Sequence, residues 1–286
     1  MSSLKGHFIS SLKIIQILSV DVVLGAVATG YFASRLLHIA PNPVWWIILT
    51  MAVWSFYTLD HLIDGIKQKE KAVINRHTFH YHHRKILGVL AGIFGLTAFF
   101  LSLAFLDQHI IQLGLLLGGL VMVYFLALFY WGNKKIILLQ KEFIIALVYV
   151  FGIWLAPLVW SGQFMQTFII IVLSVFLLLA WAEGIMASFF DYENDLKDGH
   201  SSFTVLFGKA FSRRFLIVVH ILVFLLIKIS IFFITTNLQF ANLMILALMN
   251  LMLLLIILYP NWFQKHERYR IFGESIFLLP VWIAFF

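Results

Sequence analysis

The sequence has no cysteine, which excludes a disulfide framework and a thiolate metal site. Charge is scarce as well. Asp, Glu, Lys and Arg make up 12% of the 286 residues, against about a quarter in an ordinary soluble domain, and that class is excluded. No hydrophilic stretch is long enough to fold alone, so a single intramembrane domain over residues 1–286 is expected. What the chain has instead is apolar surface, 62% hydrophobic residues and a mean hydropathy of +0.98. An all-α, polytopic membrane protein is the class this composition defines.

Apolar runs of about 17 to 25 residues read as membrane spans. Nine are found, at roughly 14–37, 43–66, 86–106, 109–131, 143–160, 167–190, 215–235, 240–259 and 271–286. Asp21 interrupts the first run and its hydrophobicity continues to Leu37, so it reads as a span and not as a cleaved leader. Alternate loops of such a chain lie on opposite sides of the membrane. The side that holds the N-terminus receives 18 of the 20 basic residues, in loops around Lys5 and Lys13, Lys67 to Lys85, Lys134 to Lys141, Lys197 to Arg214 and Lys265 to Arg270. This asymmetry predicts a cytoplasmic N-terminus. It also turns a pI of 9.6 into a sign of membrane orientation, with no nucleic-acid partner expected.

Only 13 residues are acidic, and six of them, five aspartates and Glu193, fall in two short segments where an apolar run gives way to a basic loop. The first is Asp60-His61-Leu62-Ile63-Asp64; the second is Asp191-Tyr192-Glu193-Asn194-Asp195-Leu196-Lys197-Asp198. Residues four apart on a helix share a face, so Asp60 pairs with Asp64 and Asp191 with Asp195, and Asp198 follows three residues on. Mg²⁺ takes hard oxygen ligands, commonly one or two carboxylates plus the phosphate oxygens of a substrate. Asp60, Asp64, Asp191, Asp195 and Asp198 are therefore candidate metal ligands facing a phosphorylated lipid. Lys67, Arg76, Lys197 and Arg213 are candidates to neutralise the remaining phosphate charge. The plain alternative is that these carboxylates cap helix ends at the membrane surface.

The run from Asp191 to Lys209, a D-x-x-x-D followed by a short basic, Gly-containing stretch and the ending Phe207-Gly208-Lys209, resembles the second motif of the UbiA superfamily of intramembrane prenyltransferases. It follows the sixth expected span, as in that family, and the first acidic segment follows the second, where the family carries N-D-x-x-D-x-x-x-D. With Asp64 on the middle Asp, Asp60 stands for the motif Asn, His61 for its first Asp and Gln68 for its last. The resemblance implies a nine-helix UbiA-like bundle that binds a prenyl diphosphate through Mg²⁺, ionises it, and transfers the polyprenyl group to an aromatic or lipid acceptor. It implies metal ligation by Asp64, Asp191 and Asp195, with Asp60 a ligand or diphosphate contact. Rings near these helix ends, Trp54, Tyr57, Phe189 and Phe190, either face the allylic cation or pack the core. The departures in the first segment equally fit a non-catalytic lipid-diphosphate binder of the same fold.

Two further features bear on function. Glu183 lies eight residues before Asp191, roughly 12 Å deeper along a helix and about 80° around it. It is a candidate catalytic residue, able to bind the acceptor or take its proton, or else a protonated or paired structural glutamate. Asp21 reads as structural. The run Arg76-His77-Thr78-Phe79-His80-Tyr81-His82-His83-Arg84 resembles one histidine box of membrane di-iron hydroxylases, but the other seven histidines form no second box. A cationic loop that orders over a diphosphate is the expected role.

Overall fold

A computed structural model of the chain describes residues 14–68, 75–131, 140–199 and 201–286. Among them there are helices and no strands. In chain order the α-helices are α1 (Val20–Leu36), α2 (Pro43–Gln68), α3 (Asn75–His82), α4 (Arg84–Phe105), α5 (Gln108–Trp131), α6 (Lys141–Ser161), α7 (Thr167–Asp198), α8 (Phe203–Phe207), α9 (Lys209–Ser230), α10 (Asn237–Leu258), α11 (Pro260–Gln264) and α12 (Arg268–Ser275). A 3₁₀ stretch over Ile276–Phe285 ends the chain.

Six of these are long and apolar enough to cross a membrane: Pro43–Ile66, Arg84–Phe105, Lys141–Ser161, Thr167–Asp198, Lys209–Phe233 and Asn237–Leu258. The nine expected spans thus fall into two groups. Of the remaining three, α1 has only 17 residues, and α5 is a 24-residue apolar helix whose described side chains run without a break only over Gln108–Tyr124. The last is divided between α12 and the 3₁₀ stretch, which contains Pro280. At about 2.0 Å per residue, ten 3₁₀ residues still cover roughly 20 Å.

The bundle closes around α1, which packs against α2, α6, α12 and the 3₁₀ stretch, while α6, α7, α9 and α10 pack in succession. Its centre is aromatic. Phe32 of α1 meets Trp154 of α6 and Phe176 of α7 edge-on, with ring centroids 6.3 and 5.3 Å away. The outer faces of α4 and α9 carry exposed apolar side chains, including Ile86, Val89, Leu96, Phe100, Val218 and Ile221. Apolar residues on an outer face are what lipid contact requires, because chains of lipid solvate them as well as a core does.

Helix α7 sets the position of the acidic residues. Its 32 residues span ~48 Å at 1.5 Å per residue, against a hydrocarbon core of ~30 Å. Its final turns, with Asp191, Asp195 and Asp198, therefore extend past the apolar layer. Gly199 ends the helix at φ +71°, a conformation that costs glycine nothing, and its N–H closes on Leu196 O at 3.4 Å.

Candidate functional site

The second acidic segment is built on the last two turns of α7 and braced by α12. Asp191 Oδ1 accepts a 2.6 Å hydrogen bond from the Tyr269 hydroxyl, and Asp191 Oδ2 pairs with Arg270 Nη2 at 2.6 Å. Tyr269 in turn lies flat on Phe190, with centroids 4.4 Å apart and planes at 12°. Burial pushes the Tyr269 hydroxyl above its usual value. Burial works against the charge on Arg270, but the Asp191 carboxylate outweighs it and holds the guanidinium cationic. A carboxylate fixed by two partners is pre-oriented, and each oxygen keeps a lone pair for a further ligand. Asp195 is buried one turn on, and Asp198 Oδ2 is shielded from solvent with no hydrogen-bond partner among the described residues.

The stretch after this segment folds back onto α7. Glu142 Oε1 accepts from the Phe203 N–H at 2.7 Å, and Ser188 Oγ accepts from the Thr204 N–H at 3.1 Å while bonding the Thr204 hydroxyl at 2.7 Å. These contacts satisfy the opening N–H groups of α8, which would otherwise be buried and unpaired. Phe203 then leads a ladder of rings through Phe207, Phe211 and Phe215.

The first acidic segment lies near the end of α2, and Asp60 and Asp64 are only 4% and 6% exposed. Both are met by one cation from the start of α6. Lys141 Nζ stands 2.6 Å from Asp64 Oδ2 and 3.2 Å from Asp60 Oδ2. The approach of α6 to α7 depends on Gly184, where a Cβ would lie 3.2 Å from Glu142 Cβ. Lys141 also acts electrostatically on Asp195 of α7 and on Tyr124 of α5. The start of α6 thus links the two segments, Lys141 meeting Asp60 and Asp64 while the neighbouring Glu142 bonds the Phe203 N–H just after the second segment. One turn before Asp60, Tyr57 sits within electrostatic reach of Asp60, Glu183, Tyr149 and Glu274.

Tyr57 and Tyr149 are among the few polar residues that line an apolar cavity of about 670 Å³ between α2, α4, α5 and α6. Leu49, Val53, Phe99, Leu117, Met122 and Gly152 are among the residues that line it. That volume lies in the usual range for a small-molecule site, ~300–1,000 Å³.

The remaining candidates spread more widely. Lys197 and Arg213 are exposed near the second segment, and the side chains of Lys67 and Arg76 lie outside the described residues, as does much of the second and fourth basic loops. Lys209 pairs loosely with Glu193 at 3.7 Å and covers the Tyr192 ring at 5.2 Å. Asp21 falls in the first turn of α1, where its Oδ1 accepts from the Val22 N–H at 2.9 Å. In the histidine run, Nδ1 of His82 and of His83 bond Thr78 O and Phe79 O of their own helix at 2.8 and 2.9 Å, and His80 meets His61 edge-on at 5.3 Å. Lys141, Tyr269 and Arg270 have no place among the sequence-derived candidates. Lys141 and Arg270 enter there only as basic residues that orient the chain.

Among the described residues no three His, Asp or Glu side chains gather closely enough to hold a metal by themselves. A divalent cation that takes part of its shell from a substrate diphosphate needs fewer. The second segment fits such a cation, because Asp198 Oδ2 is unpartnered and Asp191 is pre-oriented. At the first segment the ammonium of Lys141 already stands between the two carboxylates.

No family model and no curated protein matches the sequence. Solved structures do match over nearly the whole chain. A UbiA homologue from Archaeoglobus fulgidus bound to DMAPP and Mg²⁺ has a TM-score of 0.63 at 16% identity, covering 94% of this chain and 98% of that one. The same homologue bound to GPP and Mg²⁺ gives 0.63 at 14% identity, with 95% and 99% covered. A digeranylgeranylglyceryl phosphate synthase gives 0.57 at 18% identity, with 99% and 98% covered. The chain has the all-α, multi-pass fold of the UbiA homologues.

Proposed function

We propose that this chain is a member of the UbiA superfamily, one intramembrane domain over residues 1–286, and that it transfers a polyprenyl group from a prenyl diphosphate to an aromatic or lipid acceptor with Mg²⁺ assistance. The observation that carries this reading is that the start of α6 links the two acidic segments, through Lys141 to Asp60 and Asp64 and through Glu142 to the Phe203 N–H, with an apolar cavity of about 670 Å³ reached one turn before Asp60 at Tyr57. The A. fulgidus homologue of the same fold binds DMAPP or GPP with Mg²⁺, which supports the ligand class. The excess of basic residues on one side supports a site that faces the cytoplasm.

On this reading Asp191, Asp195 and Asp198 hold the metal, and Tyr269 and Arg270 orient Asp191. A bound Mg²⁺ neutralises charge on the departing diphosphate. Lys197 and Arg213, with Lys67 and Arg76, supply further positive charge over the diphosphate, and Asp60 and Asp64 place Lys141 toward it. The apolar cavity takes the prenyl chain and keeps water from the allylic cation. Glu183, within electrostatic reach of Tyr57, receives the proton that the acceptor loses on alkylation.

A non-catalytic binder of lipid diphosphates is a second reading, favoured by the closed pairing of Asp60 and Asp64 with Lys141. Binding of labelled geranylgeranyl diphosphate to Asp195→Asn and Asp191→Asn tests what both readings share. Folded variants are expected to lose Mg²⁺-dependent binding at least tenfold; variants that bind as well as wild type would sink the site. Release of pyrophosphate by wild type, only with Mg²⁺ and an acceptor, separates the transferase from the binder.

A further inference from the structure

We propose that Lys141 takes the place of a metal ion at the first acidic segment, so that the protein binds its diphosphate with one divalent cation, held at the second segment. This inference rests on the reading of the site as a prenyl diphosphate site.

Asp60 and Asp64 are one helical turn apart and direct one oxygen each, Oδ2 in both cases, toward a single point. Two carboxylates arranged in this way would grip a metal ion there. The point is occupied by Nζ of Lys141, at 2.6 and 3.2 Å. Mg²⁺ needs oxygens at about 2.1 Å and keeps much of its water shell, and neither can be satisfied with an ammonium group at that point. A lysine ammonium is a compact point charge with three donors, and it meets the same two carboxylates without any dependence on metal concentration.

The lysine is held in this place from both sides in sequence. Gln140 Oε1 accepts from Trp181 Nε1 at 2.8 Å, and Glu142 Oε1 accepts from the Phe203 N–H at 2.7 Å. Both partners lie on or against α7, and Gly184 keeps that contact close. Moving the α6 start, and with it the Lys141 backbone, would have to break these bonds. The second segment differs in kind. Arg270 reaches Asp191 alone, and Asp198 Oδ2 is left without a partner among the described residues. At the first segment one cation meets both carboxylates, while at the second Arg270 meets only Asp191, and Asp195 and Asp198 have no ion pair among the described residues.

The test counts metal ions in the detergent-solubilised full chain saturated with geranyl S-thiolodiphosphate, a non-ionising analogue, using Mn²⁺ and electron paramagnetic resonance. One Mn²⁺ per chain is expected, rising to two in Lys141→Met, where no ammonium stands between Asp60 and Asp64. Two Mn²⁺ in wild type with analogue bound would overturn the inference and leave the prenyl diphosphate reading intact. A folded Lys141→Met that stays at one Mn²⁺ would also overturn it. Failure of wild type to bind either analogue or Mn²⁺ would remove both. If Lys141→Met does not fold, the wild-type count decides alone.

Discussion

Arg270 meets Asp191 at 2.6 Å across 79 residues of sequence, bringing the eight-residue helix α12 onto the C-terminal end of α7. Both side chains are largely removed from solvent, at 15% and 14% exposure. Arg270→Ala would leave a mostly buried carboxylate without its cation, a change that costs about 3 kcal/mol. Tyr269→Phe removes only the neutral donor and should cost about 1 kcal/mol. Denaturant titration in micelles checks the order. Equal losses in the two variants would mean that the pairing does not hold α12 in place.

Glu142 ties the start of α6 to α8 through the Phe203 N–H. In Glu142→Ala that donor is buried and unpaired, and the loss is expected to be about 2 kcal/mol. The segment between α7 and α9 should then open more often. Limited trypsin digestion at Lys197 and Lys209 is the readout, and faster cleavage than in wild type is the expected result. Unchanged cleavage with reduced stability would place the role of Glu142 in α6–α7 packing.

The cavity between α2, α4, α5 and α6 should set how much prenyl chain is accepted. Gly152 lines it, and a Cβ there would make only ordinary contact with Leu117 Cδ2 at 3.9 Å. Gly152→Leu therefore fills space without forcing the helices apart. Displacing one five-carbon isoprene unit removes about 4 kcal/mol of apolar burial at ~0.8 kcal/mol per carbon. Binding of a twenty-carbon prenyl diphosphate should weaken up to ~1,000-fold, with a ten-carbon one little affected. Equal weakening of both would show that the chain runs elsewhere.

Some of this site was readable before folding because its spacing is local. Residues four apart share a helical face, and Asp60 with Asp64 and Asp191 with Asp195 are found on α2 and α7 as that rule requires. Their partners are not local. Lys141 lies 77 residues from Asp64, and Tyr269 lies 78 from Asp191, and no periodicity relates such distances. Lys141 and Arg270 also sit in basic loops, where a count of charges for orientation gives every lysine and arginine the same meaning. The last apolar segment shows a different limit. Ile276–Phe285 is hydrophobic on every side, so it has no polar stripe to separate 3.6 residues per turn from 3.0, and a single α-helical span was the default expectation.

Turnover of labelled geranylgeranyl diphosphate by the detergent-purified chain, with a pool of aromatic and lipid acceptors, tests the proposed transfer most directly. Labelled prenyl product and pyrophosphate should form with Mg²⁺, vanish with chelator, and fall by at least tenfold in Asp195→Asn. Absence of Mg²⁺-dependent binding and of product in folded wild-type protein would contradict it, leaving the UbiA-like fold without that chemistry.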